Sequence, residues 1–142
     1  MTLRRAVIAD APAIAAVYRI SAWHPHVHTP EEDLGFFANR MLPEQTVWVI
    51  EDGQGVVAAY AAAQGDFLNH LFVHPEAQGA GHGSRLLNHV REDLEFLQLW
   101  TFQGNVKARA FYERRGFTAV EFTDGEFNEE KLPDVRYEWR RR

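Results

Sequence analysis

The sequence predicts an α/β (α+β) fold, a mixed sheet with helices on its faces, and three observations carry that prediction. Apolar stretches of strand length alternate with stretches whose apolar residues recur at helical spacing. Near the middle of the chain, from Leu71 to Leu87, a strand runs into three alternating glycines and then into an amphipathic helix. Finally, 142 residues, 46% of them hydrophobic, suffice for one domain, residues 1–142, with a real core and little room for a second.

Taken in order, Leu3, Arg4, Ala6 and Ile8 lie close to alternation and read as a first strand ending at Asp10. Asp10 is placed to cap the next helix, Pro12 suits its first turn, and Ile14, Val17 and Tyr18 form its apolar stripe. The pattern breaks at Trp23-His24-Pro25-His26-Val27-His28-Thr29-Pro30, a ring-rich loop with histidines at alternate positions. Thr29 or Pro30 opens a second helix, with Glu31, Glu32 and Asp33 in its positive first turn and Leu34, Phe36, Phe37 and Met41 along its body.

Thr46 to Ile50 and Val56 to Ala63 read as a hairpin about Glu51-Asp52-Gly53-Gln54-Gly55, and Asp66 to Val73 as a third strand beside it. The alanines at 58, 59, 61, 62 and 63 favour helix on propensity alone, but Asp52-Gly53 and Gly65 bound the stretch at hairpin length. Such small side chains are expected to widen the space over the sheet. Beyond the glycines, Leu86, Leu87, Val90, Leu94 and Leu97 predict a helix over 83–96, and Leu97 to Phe102 a strand. Asn105 precedes a last helix, Val106 to Arg115, which Gly116 ends. Phe117 to Thr123 and Val135 to Arg141 are the closing strands, joined by the polar loop Asp124 to Asp134.

Bulk properties narrow the function. A formal net charge of −5 argues against a non-specific grip on nucleic acid, although a local basic patch can still hold an acidic cofactor. With no cysteine, disulfides, a thiolate nucleophile and thiolate-held zinc are excluded. The N-terminus lacks an apolar signal run, and no stretch is long and apolar enough to span a bilayer as a helix, so a cytoplasmic protein without a membrane partner is expected.

The glycine stretch carries the chemistry. Gly79, Gly81 and Gly83 remove side chains where backbone N–H groups at a helix start can close around a guest, and the natural guest is a phosphate or pyrophosphate. No lysine follows them, which sets the loop apart from the nucleotide-hydrolase type. The glycine spacing and central position also differ from the dinucleotide fingerprint. The ligand is expected just beyond the carboxyl end of a central strand.

Gln78-Gly79-Ala80-Gly81-His82-Gly83 after Leu71-Phe72-Val73-His74-Pro75, followed by Asn105, Ala108, Phe111-Tyr112 and Gly116-Phe117, resembles the GNAT superfamily of acetyl-CoA-dependent N-acetyltransferases. The opening Arg4-Arg5-Ala6 with Asp10 and Ile14, and the closing stretch from Gly125 to Tyr137, extend the likeness over nearly the whole chain. The resemblance implies a mostly antiparallel central sheet, splayed at the cofactor cleft between the strands ending at Val73 and near Phe102. It implies a direct transfer of acetyl from acetyl-CoA, as donor substrate and without a metal, to a primary amine of a small molecule, a peptide N-terminus or a lysine. Cofactor contacts are expected from Leu71, Phe72 and Val73 along the pantetheine arm. The backbone from Gln78 through Gly79, Ala80, Gly81, His82 and Gly83 to Ser84 is expected at the pyrophosphate, and Asn105, Ala108 and Tyr112 beside them. Tyr112 matches the position that commonly protonates the leaving thiolate, while Asn105 meets the pantetheine arm or simply caps its helix.

The group that takes the proton from the amine stays open at this stage. Asp66, Asn69, His70 and His74 lie near the central strand, and His24, His26 and His28 lie in the loop expected to roof the acceptor site. A strand regular from His70 to His74 would put both on one face, but the family's bulge near position 73 disturbs that parity. Alternate spacing would set the three loop histidines on one side of an extended segment, yet no acidic or cysteine partner stands nearby in the motif for a metal. A non-catalytic acyl-CoA-binding regulatory module is the alternative to an enzyme. The family also commonly forms homodimers through its C-terminal strands, and Val135 to Arg141 offers either a protected edge or such a surface.

Overall fold

A computed structural model describes residues 1–142. Its framework is a seven-stranded sheet in the order β1-β2-β3-β4-β5-β7-β6, formed by β1 (Thr2–Arg5), β2 (Thr46–Glu51), β3 (Val57–Gln64), β4 (Phe67–Val73), β5 (Phe96–Phe102), β6 (Thr118–Thr123) and β7 (Asp134–Arg140). Every neighbouring pair is antiparallel except β4 and β5, so the sheet is mixed and mostly antiparallel. Helices α1 (Ala11–Ser21) and α2 (Pro30–Phe36) lie over one face, and α4 (His82–Val90) and α5 (Val106–Glu113) over the other. A π-helical turn, Phe37–Met41, and a short α3 (Leu42–Glu44) continue α2 and bury Phe37 and Met41.

The alanine run is strand, and it forms the middle of the molecule. Ala59, Ala61 and Ala62 are completely buried in β3, between α1 on one face and α4 on the other. Their small side chains therefore do not widen a space, as the sequence suggests. They let Ile14 of α1 and Leu86 and Leu87 of α4 approach the sheet from both sides, and that volume is core.

Two boundaries and the place of one bulge differ from those predicted. The first strand stops at Arg5, because the Asp10 carboxylate accepts the Val7 N–H at 2.8 Å and binds both guanidinium nitrogens of Arg4 at 2.9 Å. That pairing pulls Ile8–Asp10 into a 3-10 turn, and the Asp10 side chain reaches backwards instead of capping α1. Helix α4 ends at Val90, well short of position 96; Leu94 lies in the turn that follows and Leu97 on β5. The register shift in β4 falls opposite Ala62 and Ala63, where Asn69 is the extra residue, while positions 70–73 pair regularly with β3. His70 and Phe72 consequently share the face that α1 covers, with Tyr60.

Candidate functional site

The parallel pair opens the sheet. β4 and β5 pair at Phe67 and Gln98, where the Gln98 N–H donates to the Asp66 carbonyl at 2.8 Å and its amide to the Asp66 carboxylate at 3.1 Å. Beyond that clasp no ladder pairing joins the two strands, although β4 stays paired to β3 as far as Val73 and β5 to β7 as far as Phe102. The strands splay towards their carboxyl ends. The His74 N–H donates to the Ala58 carbonyl at 2.8 Å, which fixes the alternation: backbone groups of Phe72 face β3 and those of Leu71 and Val73 face the gap.

At the mouth of the gap the three glycines play two different parts. Gly79 and Gly81 have φ of +85° and +83°, a conformation other residues resist, and a side chain at either would meet nothing within 4 Å. They are required for backbone shape beside open space. Gly83 has ordinary φ, but a Cβ there would lie 3.2 Å from the Phe111 ring, so it is required for close contact between α4 and α5. From Gly79 to Ser84 no backbone N–H donates to any group in the chain, and these donors gather at the positive end of α4. His82 is buried at the start of α4, and Ala80 is exposed.

Side chains tie the loop down. The Gln78 amide donates to the Val73 carbonyl at 3.1 Å, and its oxygen accepts from the Lys107 ammonium at 2.8 Å, which straps the mouth from β4 to α5. Arg115 donates to the Ser84 hydroxyl at 2.9 and 2.6 Å while its guanidinium lies 3.7 Å over the Phe111 ring. Lys107 and Arg115 place two cations beside the loop of an acidic chain. Sequence reasoning missed both; the signal available was their place on the helix that follows Asn105.

Asn105 caps α5, its side-chain oxygen accepting the Ala108 N–H at 3.2 Å while the amide nitrogen keeps no partner in the chain. Ala108 packs against the core below. Tyr112 is 8% exposed among Phe111, Phe117 and Tyr137. Its hydroxyl makes no hydrogen bond within the chain, and because no unpartnered side-chain polar atom is wholly buried, it retains contact with solvent. Burial drives this phenol well above its ordinary value of 10.0, so it holds its proton throughout the neutral range.

On the opposite face, the loop between α1 and α2 folds onto the end of β5. Trp23 stacks on Phe102 at 5.7 Å between ring centroids, and His24 meets the same ring edge-on at 5.3 Å. Gly104 makes room: a Cβ there would stand 2.8 Å from the Trp23 ring. The Tyr18 hydroxyl lies 3.2 Å from His24 Nε2, and its ring packs edge-on against Phe72 at 5.3 Å. The loop histidines diverge, His24 to Tyr18 and Phe102, His26 towards the Tyr18 ring, and His28 to Glu129 at 2.9 Å in the loop between β6 and β7. His74 accepts the Glu76 N–H at 3.1 Å and serves its local turn. His70 Nδ1 is 2.9 Å from the Tyr60 hydroxyl inside an aromatic cage, and its desolvation, with His24 adding a smaller effect, pushes it from 6.5 down to about 4. Beside these residues a groove of about 500 Å³ runs over the uncovered face of β5, β7 and β6, lined by Trp100, Phe102, Phe127 and the carboxylates of Glu121, Glu130 and Asp134.

No helix of the chain is long and apolar enough to cross a membrane. The model of the acetyltransferase (GNAT) domain matches residues 43–119, more than half of the chain. Among curated proteins, the chain is similar to the peptidyl-lysine N-acetyltransferase YiaC of Escherichia coli, 28% identical over 123 residues and covering 84% of each chain. It is also similar to the peptidyl-lysine N-acetyltransferase YjaB of Salmonella typhimurium, 24% identical over 120 residues, 82% of this chain and 83% of the other. Among solved structures, YncA of Salmonella typhimurium, determined with its cofactor acetyl-CoA, superposes with a TM-score of 0.73 at 23% identity, over 99% of this chain and 93% of that one.

Proposed function

The chain belongs to the GNAT acetyltransferase superfamily, and from that premise we propose that it moves the acetyl group of acetyl-CoA directly to a primary amine, with the lysine side chain of a polypeptide as acceptor. One observation carries the reading: the gap between β4 and β5 ends at a run of unpaired N–H donors from Gly79 to Ser84. A pyrophosphate suits that donor array, with Lys107 and Arg115 beside it, and an extended amide-bearing arm suits the free backbone edge of Leu71 and Val73.

Bound acetyl-CoA supplies a thioester carbonyl open to attack by an unprotonated amine. The chain's part is to align the two substrates, the step expected to give most of the acceleration. Tyr112 of α5 belongs to the core cluster against which Val73 of β4 also packs, and in this reading its free hydroxyl donates a hydrogen bond to the negative charge developing on sulfur. Because burial favours the neutral phenol, its role is stabilisation by hydrogen bonding more than full proton release. Lysine as acceptor is supported by the activity named for the two curated relatives and by the groove, whose carboxylates and aromatic rings favour a cationic chain approaching from the uncovered face.

The test is acetyl-CoA-dependent release of free thiol against lysine peptides, peptides with only a free N-terminus, and small amines. Turnover on lysine peptides is expected, with Tyr112→Phe lowering kcat by about 10²-fold at unchanged acetyl-CoA affinity. Tight acetyl-CoA binding with no turnover on any amine would replace the enzyme by an acyl-CoA-binding regulatory module.

A further inference from the structure

Two imidazoles near the gap are each hydrogen-bonded to a tyrosine hydroxyl, and they are not equivalent. His70 and Tyr60 sit inside the aromatic cage on the covered face, and His70 is pushed down to about 4, which makes it a poor proton acceptor near neutrality. His24 is half-buried in the α1–α2 loop, against Phe102 at the end of β5, while its partner Tyr18 packs on Phe72 of β4. The pair thus bridges the two strands whose separation forms the gap, on the face opposite Tyr112.

The ring orientation of His24 is fixed by its other nitrogen. Nδ1 lies 2.8 Å from the Pro25 carbonyl, which can only accept, so Nδ1 carries the proton and Nε2 offers a lone pair. The Tyr18 hydroxyl at 3.2 Å is then the donor to Nε2, and its own oxygen lone pairs remain free to accept. From this geometry we infer that Tyr18 and His24 form a proton relay that receives the proton lost by the attacking amine. The inference rests on the acetyl-transfer reading.

In the relay, an N–H bond of the amine breaks and an O–H bond forms on Tyr18. The original Tyr18 O–H breaks and an N–H forms on His24 Nε2, so Tyr18 ends unchanged and His24 becomes imidazolium, its Nδ1–H held on Pro25. Nothing is oxidised or reduced. The charged groups around Tyr18 are Asp33 of α2, paired with Arg19 of α1, and Glu129 and Glu130 of the β6–β7 loop, with Glu129 itself paired to His28. His70 of β4 and His26 of the α1–α2 loop are the other titratable groups against the pair. Burial first, then those carboxylates, pushes Tyr18 up to about 12, which keeps it a proton carrier and not a standing phenolate.

Tyr18→Phe and His24→Asn test the relay with two readouts. Ring ¹⁵N NMR of the parent should report His24 with the proton on Nδ1 and a hydrogen-bonded lone pair on Nε2, and Tyr18→Phe should lose that hydrogen bond. Each variant should lower kcat on the best amine by about 10²-fold, the double variant no further than either single one. Both should leave acetyl-CoA affinity unchanged. A proton on Nε2 in the parent, or variants turning over at the parental rate, would overturn the relay and leave the transferase standing. A parent showing the expected tautomer but no thiol release with any amine would overturn both readings.

Discussion

The two sides of the gap are built by different means. The side of α4 and α5 comes from two short runs of sequence, 71–84 and 105–115, and works largely through backbone: free N–H groups, glycine dihedrals and strand edges. The side of α1 and α2 is assembled from side chains far apart in the chain, with Trp23 on Phe102, Tyr18 on Phe72 and His28 on Glu129. The family match, residues 43–119, takes in the first side and leaves out both loops of the second. A shared donor and a private acceptor would produce this division, because a backbone cradle tolerates substitution around it whereas a side-chain pocket changes with each one.

Substitutions at two glycines separate the sides. Gly81→Val forces a β-branched residue into a left-handed conformation, at a cost of about 1–2 kcal/mol or more, and should weaken acetyl-CoA binding about tenfold while leaving the amine KM at saturating donor unchanged. Calorimetric titration of acetyl-CoA checks it. Gly104→Ala should act in the opposite sense and more weakly. The new methyl would stand 2.8 Å from Trp23 and push it off Phe102, so the amine KM should rise a few-fold, on the order of 1 kcal/mol, with donor affinity intact.

The smallest effect concerns stability. The folded state holds His70 near 4 against 6.5 for an exposed imidazole, so between those values the unfolded chain binds more protons and stability falls as pH drops from 6.5 to 4. Denaturant unfolding across that range should show a shallower fall in His70→Gln than in the parent. An equal slope in both would place His70 outside the desolvated cage.

The same contrast explains what was legible in the sequence. Alternation, helical spacing and glycine placement depend on neighbouring residues, and they located most of the strands and helices and the loop from Gln78 to Ser84, whereas Asn105 and Tyr112 were singled out by the family resemblance. The first strand was misjudged because its end depends on Arg4 and Asp10 finding one another, a pairing that outweighs alternation at Ala6 and Ile8. The helix after the glycines was overextended because Leu94 and Leu97 happen to keep its spacing while serving a turn and a strand. Tyr18 read as one residue of an apolar stripe and His24 as one of three loop histidines. Their meeting depends on the chain folding back after Ser21, anchored by Trp23 on a strand nearly eighty residues away.

The most direct test sets Gly81→Val beside Tyr18→Phe and measures acetyl-CoA affinity and amine-dependent thiol release for each. Gly81→Val should lose donor affinity and recover turnover when acetyl-CoA is raised to saturation, whereas Tyr18→Phe should bind acetyl-CoA as the parent does and stay slow at any concentration. Parallel loss of affinity in both, or full turnover in Tyr18→Phe, would contradict the division of the gap into a donor side and an acceptor side.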